Sequence, residues 1–299
     1  MLQFVPVFFG ATFLIYALVF LMPGDPIRAL AGDRPMSPSV LAALREQYHL
    51  DEPLWKQYLL YIGGLFTGDF GTDFRNRPVL DIMAQRIPIT FRLAMYAFGF
   101  EAVLGVLAGI LAGLRKGGFM DNLVLVSTTA VISIPIFVLG FVAQLVLGVR
   151  FGIFPVAGIR EGLWSYMLPA MVLGSVSLAY IARLTRTSLV ENLRADYVRT
   201  AKAKGLTGRR VVGVHALRNS LIPVVTYLGV DLGALMGGAI ITETIFNLPG
   251  IGRAVYEAVQ RQEGTVVVGI VTFLVLVYMV SNLFVDLLYA VLDPRIRYE

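Results

Sequence analysis

Cysteine is absent from this 299-residue chain. That excludes disulfides, thiolate metal sites, iron–sulfur ligation and cysteine nucleophiles together. Histidine is nearly absent: His49 and His215 are the only two and lie in different loops, so no histidine-based metal site is expected. No Gly-Lys dipeptide occurs, so the chain has no phosphate-cradling P-loop and binds no nucleotide by that route. Charge is scarce too, at 15% of residues against about a quarter in soluble domains. Serines such as Ser133 and Ser177 have no histidine at their depth in the chain, which argues against an intramembrane hydrolase. We expect a non-catalytic protein with no metal site.

What the chain has instead is long apolar runs. Hydrophobic residues make up 57% of it and its mean hydropathy is +0.74. A membrane-crossing helix needs roughly 20 mostly apolar residues. Six stretches qualify: 2–22, 89–113, 122–148, 166–186, 221–244 and 265–290. The fourth is the weakest, because Arg183 and Arg186 arrive early, although arginines at a helix end can snorkel to the interface. The first exceeds the ~7–15 apolar residues of a signal peptide and reads as an uncleaved anchor. The fold class expected is an all-α integral membrane protein with six transmembrane helices.

Lysine and arginine report sidedness in such a chain. Arg115 and Lys116 follow the second span, nine basic residues from Arg183 to Arg218 surround the loop after the fourth, and Arg295 and Arg297 sit near the C-terminus. These regions are expected in the cytoplasm, and with six spans so are both termini. The chain then divides into an anchor (1–22), an extracytoplasmic segment (23–88) and a core of five spans (89–299) that carries the cytoplasmic loop 191–220. The outer segment is partly helical by its signals. Ser37-Pro38 reads as a helix start running to about His49. Asp51-Glu-Pro53 opens a second helix bearing Trp55, Tyr58, Tyr61 and Phe66, which either lies in the headgroup region or packs as a cap.

Two spans carry glycine at every fourth position: Gly105, Gly109 and Gly113 in the second, Gly229, Gly233 and Gly237 in the fifth. Such stripes let another helix approach closely. Ionisable groups inside a bilayer are costly and are functional hypotheses by default. Glu101 lies mid-second-span and Asp231 mid-fifth-span, with the neutral Gln144 in the third. These three are the candidate residues of a polar pathway, the alternative being interhelical contacts. Pro135 and Pro169 interrupt helices without marking a site.

The loop after the fourth span is the most specific feature. Asp196 can cap a short helix, Tyr197 to Lys204, and Gly205 can end it in a left-handed conformation. Tyr197, Ala201 and Gly205 share one face, with Arg199 and Lys202 beside it, and Thr207 can start a second short helix. A small, smooth face of this kind suits insertion into a partner's groove. The charges alone would equally suit anionic lipid.

Gly205, a nine-residue spacer and His215-Ala-Leu-Arg-Asn-Ser-Leu-Ile-Pro223 resemble the EAA loop of ABC-importer permeases. Asp196-Tyr-Val-Arg-Thr-Ala-Lys-Ala-Lys-Gly-Leu206 is similar to the peptide and nickel branch, in which Arg199-Thr-Ala201 stands for the literal Glu-Ala-Ala and Arg218 for a proline. Pro23-Gly-Asp-Pro26, Gly68-Asp-Phe-Gly71, Glu243-Thr-Ile-Phe-Asn-Leu-Pro-Gly-Ile-Gly252 and Asp286-Leu-Leu-Tyr-Ala-Val-Leu-Asp-Pro-Arg295 resemble the "B" permeases of dipeptide and oligopeptide importers. The basic residues usual before the first span are absent.

The resemblance implies a type I ABC-importer (MetI-like) permease in a bacterial or archaeal cytoplasmic membrane. Its implied partners are a related second permease, two cytoplasmic ATPase subunits or domains, and an extracytoplasmic substrate-binding protein, with no nucleic acid among them. ATP and Mg would be held by the ATPases. Asp196, Tyr197, Arg199, Thr200, Ala201, Lys202, Gly205 and Leu206 would form the ATPase-coupling helix. Dipeptides or oligopeptides would be the substrate, with nickel chelates, haem or glutathione as alternatives. An ion-coupled transporter using Glu101 and Asp231 is the rival outside this family.

Overall fold

The computed structural model describes residues 4–21 and 51–292. The expected helix over Ser37–His49 lies outside them. Among the described residues the structure is helical, with one isolated bridge between Thr72 and Pro78. The chain forms two compact units, 1–90 with 249–279 and 91–248 with 280–299.

In the first unit, α1 (Phe4–Phe20) packs on α2 (Leu54–Leu65). Threonine in an apolar helix must place its hydroxyl, and Thr12 does so against Phe8 O at 2.8 Å and the Tyr58 hydroxyl at 2.8 Å. Tyr16, Tyr58, Ile62 and Val268 make a buried cluster. Of the two alternatives for α2, cap or interfacial helix, packing bears on the first: Tyr58 and Ile62 turn inward, whereas Trp55 is 61% exposed and Phe66, just past the helix end, 82% exposed. Burial pushes the Tyr61 phenol up to about 12. In the loop before α3, burial pushes the Asp73 carboxyl up, but hydrogen bonds from Arg77 and the Arg75 backbone outweigh it and hold the group below the usual carboxylate range.

Helix α3 (Val79–Leu114) starts ten residues before the apolar run that predicts it and continues through Pro88. Its first turns carry Asp81 and Arg86 and belong to the first unit, where Arg86 pairs with Glu257 at 3.1 Å. Glu257 lies on α11 (Ile251–Gln260), an amphipathic helix that hydropathy alone passes over. Its buried positions, Ile251, Ala254, Val255 and Ala258, pack with Val79, Met83 and Ile270.

In the second unit the third apolar run is not one straight helix. It is α4 (Phe119–Ser133) and α5 (Ile136–Arg150), bent by 104°. Proline disfavours the helical region for the residue before it, and at Pro135 the chain yields: Ile134 sits extended at φ −100°, ψ 127°. The run predicted weakest becomes α6 (Trp164–Leu193), longer than expected at 30 residues. It outlasts its arginines because each has a partner. Arg183 donates to the Thr128 and Thr129 hydroxyls, and Arg186 holds Asp121, with one contact at 2.7 Å.

Two short helices follow, α7 (Asp196–Ala203) and α8 (Gly208–Ser220), the latter widened to π-type turns over Val211–Ala216. Then come α9 (Ile222–Gly238), α10 (Ile240–Ile245) and, after α11, α12 (Gly264–Leu292). The expected fifth span therefore breaks at Ala239. By length and composition α3, α6 and α12 can each cross a membrane alone; α4 with α5, and α8 with α9, could each make one further span; and α1 is a shorter apolar helix. Where described, the six predicted runs are helical apart from the breaks at Ile134-Pro135 and Ala239.

Candidate functional site

The scaffold of the site is the contact between α3 and α6. A methyl on Gly105 would lie 2.8 Å from Ile181 Cγ2, one on Gly109 2.5 Å from Ala182 O, and one on Gly113 3.1 Å from Leu189 Cδ2. The glycine stripe in α3 is therefore a seam that α6 crowds, with its backbone at Gly109 and first with the Ile181 and Leu189 side chains at Gly105 and Gly113. At the end of this seam the Arg186–Asp121 pair is reinforced by the Gly117 N–H, which donates to Asp121 at 2.7 Å. The second stripe is used in part: a methyl on Gly229 would lie 2.7 Å from Val285 Cγ2 and Gly233 is buried, while the surroundings of Gly237 lie outside the described residues.

Beyond the seam, α6 delivers the chain to α7. Ala195 takes the extended capping conformation and Asp196 is the first helical residue, so the expected cap role for the Asp196 side chain is corrected. The aspartate is 95% exposed and makes a 3.4 Å pair with Arg199, an exposed pair worth little. At the other end Gly205 is left-handed at φ +79°, as expected. Its N–H donates to Lys202 O at 2.9 Å and the Leu206 N–H donates to Ala201 O at 3.3 Å. These two bonds with the Leu206–Ala201 apolar contact make a Schellman termination, and Thr207 then caps α8.

The direction in which α7 faces differs from the sequence reading. Ala201 does not face outward. With Val198 it is buried against Leu189, Val211 and Ala216, and Leu206 packs alongside. The outward residues are Asp196, Tyr197, Arg199, Thr200, Lys202 and Lys204, with Gly205 open to space at its Cα. Tyr197 is steadied by its hydroxyl, which donates to Asn192 Oδ1, and Thr200 Oγ1 donates to Asp196 O at 3.0 Å. The chain buries one side of α7 in its own small core and presents the other as a polar face.

The three polar residues at span depth separate into two kinds. Gln144 is committed to structure: its amide nitrogen donates to Val156 O at 2.7 Å and Ile245 O at 3.3 Å. Glu101 and Asp231 are brought together. Glu101 is fully buried and its carboxyl is within interaction range of that of Asp231. Asp231 Oδ1 accepts from Ser177 Oγ at 3.0 Å. Asp231 Oδ2 and both Glu101 oxygens close no hydrogen bond among the described residues. The carboxyl of Glu101 has room because position 174 is glycine, where a Cβ would stand 3.3 Å from Glu101 Oε2. Sequence reasoning did not single out Ser177 and Gly174 as companions; they lie three residues apart on α6, but only the register of the seam brings them opposite Glu101.

Comparison with known proteins identifies the family. Residues 105–298 match the binding-protein-dependent transport system inner membrane component, and residues 2–94 match the N-terminal portion of such membrane components. The dipeptide transport system permease protein DppB of Escherichia coli (strain K12) is 39% identical over 99% of this chain and 96% of its own length. The di/tripeptide transport system permease protein DppB of Pseudomonas aeruginosa (strain UCBPP-PA14) is 38% identical over 99% and 96%. The glutathione transport system permease protein GsiC of Escherichia coli (strain K12) is 37% identical over 100% and 97%. Among solved structures, the inward-facing MetNI methionine ABC transporter superposes with a TM-score of 0.59, covering 72% of this chain and 97% of that chain at 18% identity. The chain belongs to the inner membrane components of binding-protein-dependent transport systems, the multi-pass, non-catalytic permeases of ABC importers.

Proposed function

We propose that this permease forms half of the translocation pathway of an ATP-driven dipeptide importer, with α7 as its coupling helix. A related second permease supplies the other half. Two ATPase subunits or domains hold ATP and Mg on the cytoplasmic side, this chain binds neither, and a binding protein delivers substrate from outside. Both termini lie in the cytoplasm.

The observation that carries the reading is α7 itself. It is short, closed at its C-terminal end by the Gly205 termination, anchored through Val198 and Ala201, and polar on its free side. A helix held this way moves as one piece with α6 and α8. A push on its outer face from an ATPase groove is thereby passed to the spans instead of being absorbed locally, which is the coupling of two distant sites. Support for the substrate comes from relatives named for dipeptide transport.

The test is uptake of a radiolabelled dipeptide into proteoliposomes that contain the assembled importer, with the binding protein outside. Uptake that requires ATP and the ATPases is expected. Uptake driven by a proton gradient without ATP would overturn the proposal. Glutathione is the second reading, favoured by the 37% identity to a glutathione permease. Uptake of labelled glutathione with none of dipeptide would replace the first by the second.

A further inference from the structure

We propose that Glu101 and Asp231, flanked by Ser177, Tyr180 and Tyr227, recognise the protonated amino group of the transported substrate. The proposal rests on the peptide reading above for the identity of that substrate, and on the geometry alone for the chemistry of the site.

Buried polar atoms without partners call for an explanation. Here three carboxyl oxygens, both of Glu101 and one of Asp231, are buried without a hydrogen-bond partner among the described residues, on side chains within interaction range of each other. A carboxyl oxygen without a proton accepts, whereas an ammonium carries three donors and no acceptor. The fourth oxygen is already held by Ser177, which fixes the Asp231 carboxyl and leaves its other oxygen toward Glu101. One primary ammonium therefore offers one donor to each of the three oxygens. Hard divalent cations ask for about six oxygen ligands. The described residues hold no group of three acidic or histidine side chains, so this pair is too small a donor set for such an ion.

A second, independent feature points to the same ligand. Tyr227 lies beside Ser177, Asp231 and Glu101, and its ring stands 6.4 Å from that of Tyr180 at a tilt of 38°. Aromatic faces attract cations, most strongly where water is excluded. Exposure falls along the group, from Tyr180 at 48% through the half-buried Tyr227, Ser177 and Asp231 to Glu101 at 0%. The site thus has an open aromatic lip and a closed acidic floor, as expected for capturing the end of a molecule by its amine.

The experiment uses the assembled importer in nanodiscs and the apolar reagent dicyclohexylcarbodiimide, with labelling of Glu101 and Asp231 read by peptide mass spectrometry. Propylammonium and a free-amine dipeptide should slow labelling by about tenfold or more, the scale of a charge-assisted hydrogen bond, while the N-acetylated dipeptide and sodium should not. In proteoliposomes the uptake ratio of free to N-acetylated dipeptide should fall by about tenfold in Glu101→Gln and in Asp231→Asn. The binding protein is common to all measurements, so a changed ratio belongs to the permease. Protection by propylammonium together with no dipeptide uptake by the wild type would sink the peptide reading and keep the ammonium site. No protection by either amine, or an unchanged ratio in both variants, would overturn the site. Equal protection by sodium would overturn the amine as its ligand.

Discussion

Two runs of small residues at four-residue spacing meet opposite fates in this protein. Gly105, Gly109 and Gly113 are closed over by α6, whose backbone and side chains together crowd the space a side chain would need. Ala201 and Gly205 divide the outcome between them: Ala201 is buried in the chain's own core, while Gly205 has nothing within 4 Å of where its Cβ would be. The same spacing therefore signals close approach without saying which surface approaches. In the seam the glycines serve packing; at Gly205 the glycine serves a left-handed turn and an open face.

The largest effect that would break this comparison is expected at the seam. Gly109→Leu places a side chain where even a Cβ would meet Ala182 O and Thr185 Cβ at 2.5 Å. Backbone cannot step aside as a flexible side chain can, so a loss at the upper end of overpacking costs, about 3 kcal/mol or more, is expected. The measurement is the yield and thermal midpoint of membrane-extracted protein. A wild-type midpoint would mean that α3 and α6 do not touch there.

Of the same order is the pair at the end of the seam. Asp121→Ala strands the Arg186 guanidinium and frees the Gly117 N–H, and breaking a buried ion pair costs about 3–5 kcal/mol. Adding Arg186→Met to Asp121→Ala should return most of that loss, because the stranded charge carries much of the penalty. If the double variant is no better than the single one, the pair is acting as a specific latch and not merely as compensated charge.

Gly205→Trp sharpens the other side of the comparison. Leaving glycine at φ +79° costs about 1–2 kcal/mol in backbone strain, so insertion and folding should survive. ATP hydrolysis by the assembled importer should no longer drive uptake, since the indole occupies the open side of the turn. Uptake per ATP equal to wild type would remove Gly205 from the docking surface and leave it as a turn residue only.

These contrasts also mark how far the sequence could be read. The apolar runs, the seam and the left-handed Gly205 were legible, because each depends on composition or on one residue's conformational freedom. The 104° bend at Pro135 was not, since proline announces an interruption without its angle. Helix α11 carried a readable 251, 254, 255, 258 periodicity, yet a search for membrane length passes over ten residues. Which side of α7 is covered depends on Leu189, Val211 and Ala216, residues on either side of it in the chain, so Ala201 was assigned to the wrong surface. At the polar site, Glu101 and Asp231 stood out as costly, but their meeting and the service of Ser177 and Gly174 follow from the register of α6 on α3.

The smallest effect makes the cleanest comparison. Gly99 and Gly105 lie on the same helix, six residues apart, and differ in what surrounds them. A methyl at Gly99 meets nothing within 4 Å; at Gly105 it would stand 2.8 Å from Ile181 Cγ2 and 3.1 Å from Leu178 O. Alanine is the better helix former by about 1 kcal/mol at either position, so propensity favours both substitutions equally and cancels between them. Gly99→Ala should therefore leave the midpoint unchanged or raise it slightly. Gly105→Ala should lower it, with stability falling by about 1 kcal/mol or more once the gain in propensity is overcome by the clash. The sign of the difference is what decides: a seam makes the two variants move apart, whereas glycines present only as general membrane-helix composition would let them move together.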